Sequence, residues 1–287
     1  MKYRYTTPKD RTLALIRSVA VYTLLIFWAC TTIIPLLWVL LNSFKSSDEI
    51  LLRSLALPRA LKPTNYITMM SYPDVNLLIG FRNSVLISGS VVVGVVLFAS
   101  FAAFALGRIN TWITRYVNTL LVMCLLVPSF STLIPNFVLI SSLPIRGTYL
   151  AVILPQIAGN LCFSTLLLTG YVRSLPKELD EAAIIDGAGV MKIFWKITWP
   201  LSVPMLATIS IMVFIWSYND LLTPLVYLPT RRLQPVSVIL TLVSNMFGTD
   251  YGAMMAAIII TITPLFILYM VAQEKVVKGL TLGAVKG

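Results

Sequence analysis

Six stretches of this chain run without an Asp, Glu, Lys or Arg for long enough to cross a bilayer: 18–44, 83–107, 116–145, 147–172, 197–219 and 251–273. A helix needs about 20 predominantly apolar residues to span the hydrocarbon, and a charge at its centre costs roughly 2.5 to 3.5 kcal/mol. With 58% of residues hydrophobic, 11% charged and a mean hydropathy of +0.88, the chain carries more apolar surface than one water-soluble core can hide. The expected fold is an all-α membrane protein with six transmembrane helices. A seventh charge-free stretch, 233–249, is short and diluted by Gln234, Pro235, Ser237, Ser244, Asn245 and Gly248, so it reads as external or interfacial.

Placing the amino terminus inside puts 14 of the 22 Lys and Arg residues on one side, among them Arg17, Arg108, Arg115, Arg173, Lys177, Lys192, Lys196 and Lys275. The positive-inside rule then predicts that both termini are cytoplasmic. Much of the net charge of +11 is therefore topology, and no nucleic-acid partner is implied. The apolar run after the basic tail 1–17 is too long for a signal-peptide core of about 7 to 15 residues, so the first span is expected to stay. Cys30, Cys124 and Cys162 fall inside spans and histidine is absent, so neither a disulfide framework nor a metal site is expected. The spans also carry Pro35, Pro128, Pro135, Pro155, Pro204 and Pro264, which read as helix kinks.

The segment between the fourth and fifth spans says most. Ser174 is placed to cap a helix, Pro176 fits its first turn, and Glu178, Asp180 and Glu181 set negative charge at its positive end. Ala182 and Ala183 give that helix a low profile. Gly187 and Gly189 interrupt it before 191–197 resume an apolar pattern. A helix, a bend and a second helix at the cytoplasmic surface follow, over about 174–196.

At these residues the sequence resembles the permease subunits of bacterial ABC importers. Glu181, Ala182, Ala183, Gly187, Ile197 and Pro200 stand in register with that group's Glu-Ala-Ala signature, with Trp199 replacing the usual leucine. The likeness narrows to the carbohydrate-uptake branch and its maltose-permease-like second subunit. Pro35-Leu-Leu-Trp-Val with Asn42-Ser-Phe-Lys-Ser, Asn83-Ser, Ala102-Ala-Phe-Ala-Leu-Gly-Arg108, Trp216-Ser-Tyr-Asn219-Asp220 and the tail Gly279-Leu-Thr-Leu-Gly-Ala-Val-Lys-Gly287 all resemble that group. The run to Arg108 has Gly107 as a variant, Trp216 and Asn219 are more widely spaced, and the tail has one extra leucine.

The resemblance implies a type I ABC importer permease fold in the bacterial inner membrane. This chain would form half of a pore with a second, different permease, two cytoplasmic ATPase subunits and an external solute-binding protein. ATP and Mg belong to those ATPase subunits, for no phosphate-cradling Gly-x-x-x-x-Gly-Lys-Ser/Thr run occurs here and no catalytic residue is expected. Glu181 and Asp186 are expected to engage the ATPase by charge. Ala182, Ala183 and the stretch from Met191 to Phe194 are expected to pack into its groove, and Gly187 to supply the bend. In such relatives the tail reaches between the ATPase subunits, which points here to Gly283, Ala284, Val285 and Lys286. The implied division is a tail 1–17, a permease domain 18–273 with an external loop 221–250, and a cytoplasmic tail 274–287.

The cargo is read only as a sugar or oligosaccharide. Trp216, Tyr218 and Tyr227 are aromatics able to stack on sugar rings, though Trp and Tyr near span ends also serve as interfacial anchors. Asn219, Asp220 and Arg231 lie on the same outer side, and Arg231 with Arg232 suits an acidic oligosaccharide. A secondary transporter or channel is the alternative. Ion-coupled carriers hold an intramembrane Asp, Glu, His or Lys, and these span cores hold none.

Overall fold

The computed structural model describes residues 8–61, 63–71, 76–246 and 250–284, and among these it is helical with no strand. The helices are α1 (Pro8–Asn42), α2 (Ser47–Arg53), α3 (Thr64–Ser71), α4 (Leu77–Arg108), α5 (Trp112–Cys124), α6 (Leu133–Ser141) and α7 (Leu150–Ser174). There follow α8 (Glu178–Ile185), α9 (Val190–Ile193), α10 (Trp199–Asn219), α11 (Leu222–Tyr227), α12 (Val236–Met246) and α13 (Tyr251–Ala284). Among the described residues five runs are long and apolar enough to span: Ala14–Asn42, Leu77–Arg108, Leu150–Ser174, Val190–Asn219 and Tyr251–Val271. The third expected span is not one helix. α5 and the segment Ser129–Ser141 meet at 95°, and counting the pair as one crossing gives six. Pro128, which lacks an N–H, stands at the break, and a 3₁₀ turn over Ser129–Thr132 leads into α6.

The chain divides into two compact units. The larger, 72–243 with 261–287, is built on α4 packed along α7 and α10. Ile87, Val91, Val95, Ala99 and Ala103 recur every fourth residue along α4 and are at most 2% exposed. This i, i+4 stripe of small and β-branched side chains lets a helix lie close to its neighbour in lipid, where packing rather than water drives association. At Gly94 the space beside the backbone is filled by Ile157 of α7. From α10, Met205, Ile209 and Val213 close the same core.

The smaller unit comprises 1–71 and 244–260. Over residues 14–37 its α1 exposes an apolar surface, including Leu24, Ile26, Phe27 and Trp28. Lys45 is 1% exposed and donates from Nζ to the carbonyls of Arg53 and Ser54 at 3.0 and 3.1 Å, a cation on the negative end of α2. Asn65 Nδ2 donates to the Ser43 and Lys45 carbonyls, and Asp250 Oδ1 accepts from the Ala253 amide at the start of α13.

α13 runs to Ala284, so Gly279, Gly283 and Ala284 belong to a helix. Val285 and Lys286 lie outside the described residues.

Candidate functional site

α4, α7 and the run beginning at α9 bring together, at one end of the larger unit, the short helix that carries the Glu-Ala-Ala sequence. Ser174 does not cap it. Ser174 is the last residue of α7, its hydroxyl donating to the Tyr171 carbonyl, and Leu175 turns the chain in extended conformation. α8 starts after Lys177, with Glu178, Asp180 and Glu181 in its first turn as expected from the helix dipole.

Its other end shows why the glycine follows Ala183 at that distance. The Gly187 amide bonds the Ile184 carbonyl at 2.9 Å, the Ala188 amide bonds the Ala183 carbonyl at 2.8 Å, and Gly187 has φ +76°. That is a Schellman ending, which needs a left-handed residue just past the cap, and Asp186 is the cap. Gly189 is extended and starts the next helix.

The second helix expected at the membrane surface is instead the start of the fifth span. α9 passes through a π turn over Phe194–Thr198 directly into α10, giving one run Val190–Asn219. Phe194, expected on the docking surface, is 1% exposed. It stacks on Phe101 at 4.6 Å and meets Phe104, Trp195 and Trp199 edge-on. The extra residue per turn of a π segment shifts the phase of the helix and turns this ring inward.

The exposed face of the elbow is formed by Glu181, Ala182, Asp186 and Gly187, with Met191 at 58% exposure and Ala183 half-buried. Ile184, Ile185 and Val190 belong to that face too, exposed at 61%, 85% and 67%. Sequence reasoning missed them, although two adjacent isoleucines beside a helix-ending glycine were a visible signal. Asp180, unlike its first-turn neighbours Glu178 and Glu181, points inward: its Oδ2 lies 2.7 Å from Arg108 Nε.

At the opposite end of α10 the residues expected near the binding protein or its sugar separate into two sets. Trp216 is 44% exposed and meets Phe163 edge-on, Asn219 is exposed with Nδ2 on the Ile215 carbonyl, and Arg231 is exposed. Tyr218 and Tyr227 are 5% and 3% exposed, so neither phenol ring is free to stack on a sugar. Tyr218 Oη donates to the Thr261 carbonyl at 3.2 Å and Tyr227 Oη to the Leu133 carbonyl at 2.8 Å. Burial, and then the charge of Asp220, push the Tyr227 phenol up, which keeps that donor protonated.

Asp220 is a structural hub. Ser217 Oγ donates to Gln156 Oε1 at 2.6 Å, Gln156 Nε2 donates to Asp220 Oδ2 at 2.8 Å, and the Thr223 amide donates to Asp220 Oδ1 at 3.2 Å. Asn83 plays the matching part on α4, donating to the Arg232 and Gln234 carbonyls and accepting from Tyr149 Oη. Gly80 leaves the room for that approach, since a Cβ there would sit 2.5 Å from Ile239 Cδ1. These bonds fasten the segment after α10 to the ends of α4, α7 and α10.

Several helices able to cross a bilayer, buried polar ties between them and a short exposed elbow define a multi-pass membrane protein. Residues 94–282 match the family described as the binding-protein-dependent transport system inner membrane component, and the chain belongs to it. It is a transport subunit of an ABC system, a non-enzymatic family.

It is 32% identical to the trehalose/maltose transport system permease protein MalG of Thermococcus litoralis, over 91% of this chain and 94% of that one. Identity to the diacetylchitobiose uptake system permease protein NgcG of Streptomyces coelicolor is also 32%, over 91% and 87%. Among solved structures, a chain of a bacterial ABC transporter involved in import of the acidic polysaccharide alginate superposes with a TM-score of 0.79. Its identity is 22%, and the match covers 94% of this chain and 99% of that one, which supports the fold.

Proposed function

We propose that this chain is one half of the translocation pathway of an oligosaccharide importer, working with a second permease, two ATPase subunits and an external solute-binding protein. The observation that carries the reading is the exposed elbow: a helix of eight residues ended by a Schellman turn, apolar at Ile184, Ile185, Val190 and Met191 and acidic at Glu181 and Asp186. Exposed apolar side chains rimmed by charge mark a surface that another protein covers.

The ATPase subunit is that partner, seated on the cytoplasmic face, and ATP and Mg are bound there and not on this chain. Glu181 and Asp186 meet it by charge while the isoleucines and Met191 enter its groove. Gly283, Ala284, Val285 and Lys286 belong to the end of the chain that reaches between the two ATPase subunits. The boundaries 1–17, 18–273 and 274–287, with the segment 221–250 outside, follow from that orientation. α1, apolar and exposed, is left for lipid and the partner permease.

The cargo reading rests on relatives whose names specify trehalose, maltose and diacetylchitobiose. Trp216, Asn219 and Arg231 remain available on the outer side for the binding protein or its sugar, while Tyr218, Tyr227 and Asp220 act by holding that side together.

Co-expression with the permease, ATPase and binding-protein genes beside it, followed by purification through this chain, is expected to retain the ATPase subunits. Hydrolysis by the purified assembly should rise when the binding protein is added with its oligosaccharide. A chain that moves solute alone in vesicles, with no ATPase present, would overturn the proposal.

A further inference from the structure

α8 is tied to the bundle on one side and loose on the other. Arg108 is the last residue of α4. Its Nε lies 2.7 Å from Asp180 Oδ2, with the two side chains 9% and 15% exposed, and its Nη1 donates to the Leu175 carbonyl at 3.0 Å, just past the end of α7. The exchange is mutual: Arg173, in the last turn of α7, donates from Nη2 to the Leu106 carbonyl in the last turn of α4 at 3.1 Å. Each helix thus places a cation on the other's negative end.

Gly107 makes this crossing possible. A Cβ there would sit 2.8 Å from Val172 Cγ1 and 3.2 Å from Val172 Cβ, a stiff β-branched neighbour on α7. On α8 itself, Asp180 and Ala183 are the half-buried positions, three apart and so on one face, whereas Glu181, Ala182, Ile184 and Ile185 are exposed. Toward the fifth span the connection runs through the left-handed Gly187, the extended Gly189 and the π turn.

We infer that the Arg108–Asp180 pair is a latch that makes α8 one rigid piece with the adjoining ends of α4 and α7, so that Asp180 is a positioning residue for force transmission and not a docking charge. The inference rests on α8 being the surface the ATPase moves. Displacement of α8 then shifts α4 and α7 without bending at the Leu175–Lys177 link, while the glycine turn lets the fifth span follow with a different motion.

The test uses the whole transporter, with both permeases, ATPase subunits and binding protein, in proteoliposomes. It compares ATPase retention during purification, thermal midpoint and solute moved per ATP hydrolysed. Asp180→Asn, which keeps size and shape, and Arg108→Glu are each expected to retain the ATPase while transport per ATP falls about tenfold, as for breaking a largely desolvated pair. The exchange Arg108→Glu with Asp180→Arg should return much of the coupling, and Arg108→Lys should fall between.

A lowered thermal midpoint with unchanged transport per ATP would make the pair merely structural and overturn the latch. So would loss of the ATPase from Asp180→Asn, which would mean that Asp180 faces the partner. If the docking reading itself is wrong, Glu181→Lys will keep both ATPase and coupling, a result separate from either of these. Should Arg108→Glu fail to insert, the isosteric Asp180→Asn still decides.

Discussion

Glu181→Lys is expected to cut binding-protein-dependent uptake at least about tenfold in the assembled transporter, because close charge pairs across interfaces couple by roughly 1.5 to 7 kcal/mol. The subunit should still insert. Glu181 is exposed on the outer face of α8, makes no ion pair within the chain among the described residues, and lies one helical turn from Ile185, which is 85% exposed. Reversing its charge therefore changes little inside this chain and much at the surface proposed to meet the ATPase. Co-purified ATPase, measured beside uptake in the same membranes, should fall with it. Uptake and ATPase retention equal to the unchanged protein would remove Glu181 from the interface.

The second large effect is expected from Gly252→Ala, where space rather than charge decides. A Cβ at Gly252 would collide with the Lys45 carbonyl oxygen, which is backbone, and would sit 2.6 Å from Asn65 Nδ2. Asn65 has little freedom to retreat, because that nitrogen holds the Ser43 carbonyl at 2.8 Å and the Lys45 carbonyl at 2.9 Å. Moving it leaves those carbonyls short of a donor, at about 1 to 3 kcal/mol for each group left unsatisfied. Overpacking adds about 1 to 3 kcal/mol more.

The start of α13 cannot slide away either. The Tyr251 amide donates to Ser47 Oγ, and Ser47 Oγ donates to Asp250 Oδ1 at 3.1 Å. The thermal midpoint of the solubilised assembly should drop well below that of the Gly89→Ala control. Gly89 lies in α4 with nothing within 4 Å of its would-be Cβ, and alanine there favours the helix. Equal midpoints for the two variants would contradict the packing described for the smaller unit.

Much of this was readable from the residues, for reasons that differ by feature. The spans were legible because a charge inside lipid is costly enough to leave long uncharged windows. α8 was legible because its first-turn acids, alanines and ending glycine each answer a local backbone need, and the Schellman bonds at Gly187 show that need being met.

The misses have separate causes. Asp180 and Glu181 are chemically alike neighbours, and only the position of Arg108, far away in the chain, decides which one turns inward. Phe194 was misplaced because the π turn breaks the 3.6-residue phase on which any reading of helix faces depends. The sharp bend at Pro128 was invisible to a window that counts charges, since such a count carries no direction. Tyr218 and Tyr227 looked like span-end aromatics by position, yet their hydroxyls meet the Thr261 and Leu133 carbonyls and their rings fill the core.

One measurement bears most directly on the claim that the α8 elbow lies on the cytoplasmic side, against an ATPase. Cysteine is introduced as Ile185→Cys in a chain whose Cys30, Cys124 and Cys162 are replaced by alanine, and a membrane-impermeant thiol reagent is applied from either side. Labelling is expected in inside-out vesicles stripped of ATPase subunits, to be blocked when those subunits are restored, and not to occur in intact spheroplasts. Labelling from outside in intact spheroplasts, or labelling in vesicles that the ATPase does not diminish, would contradict it.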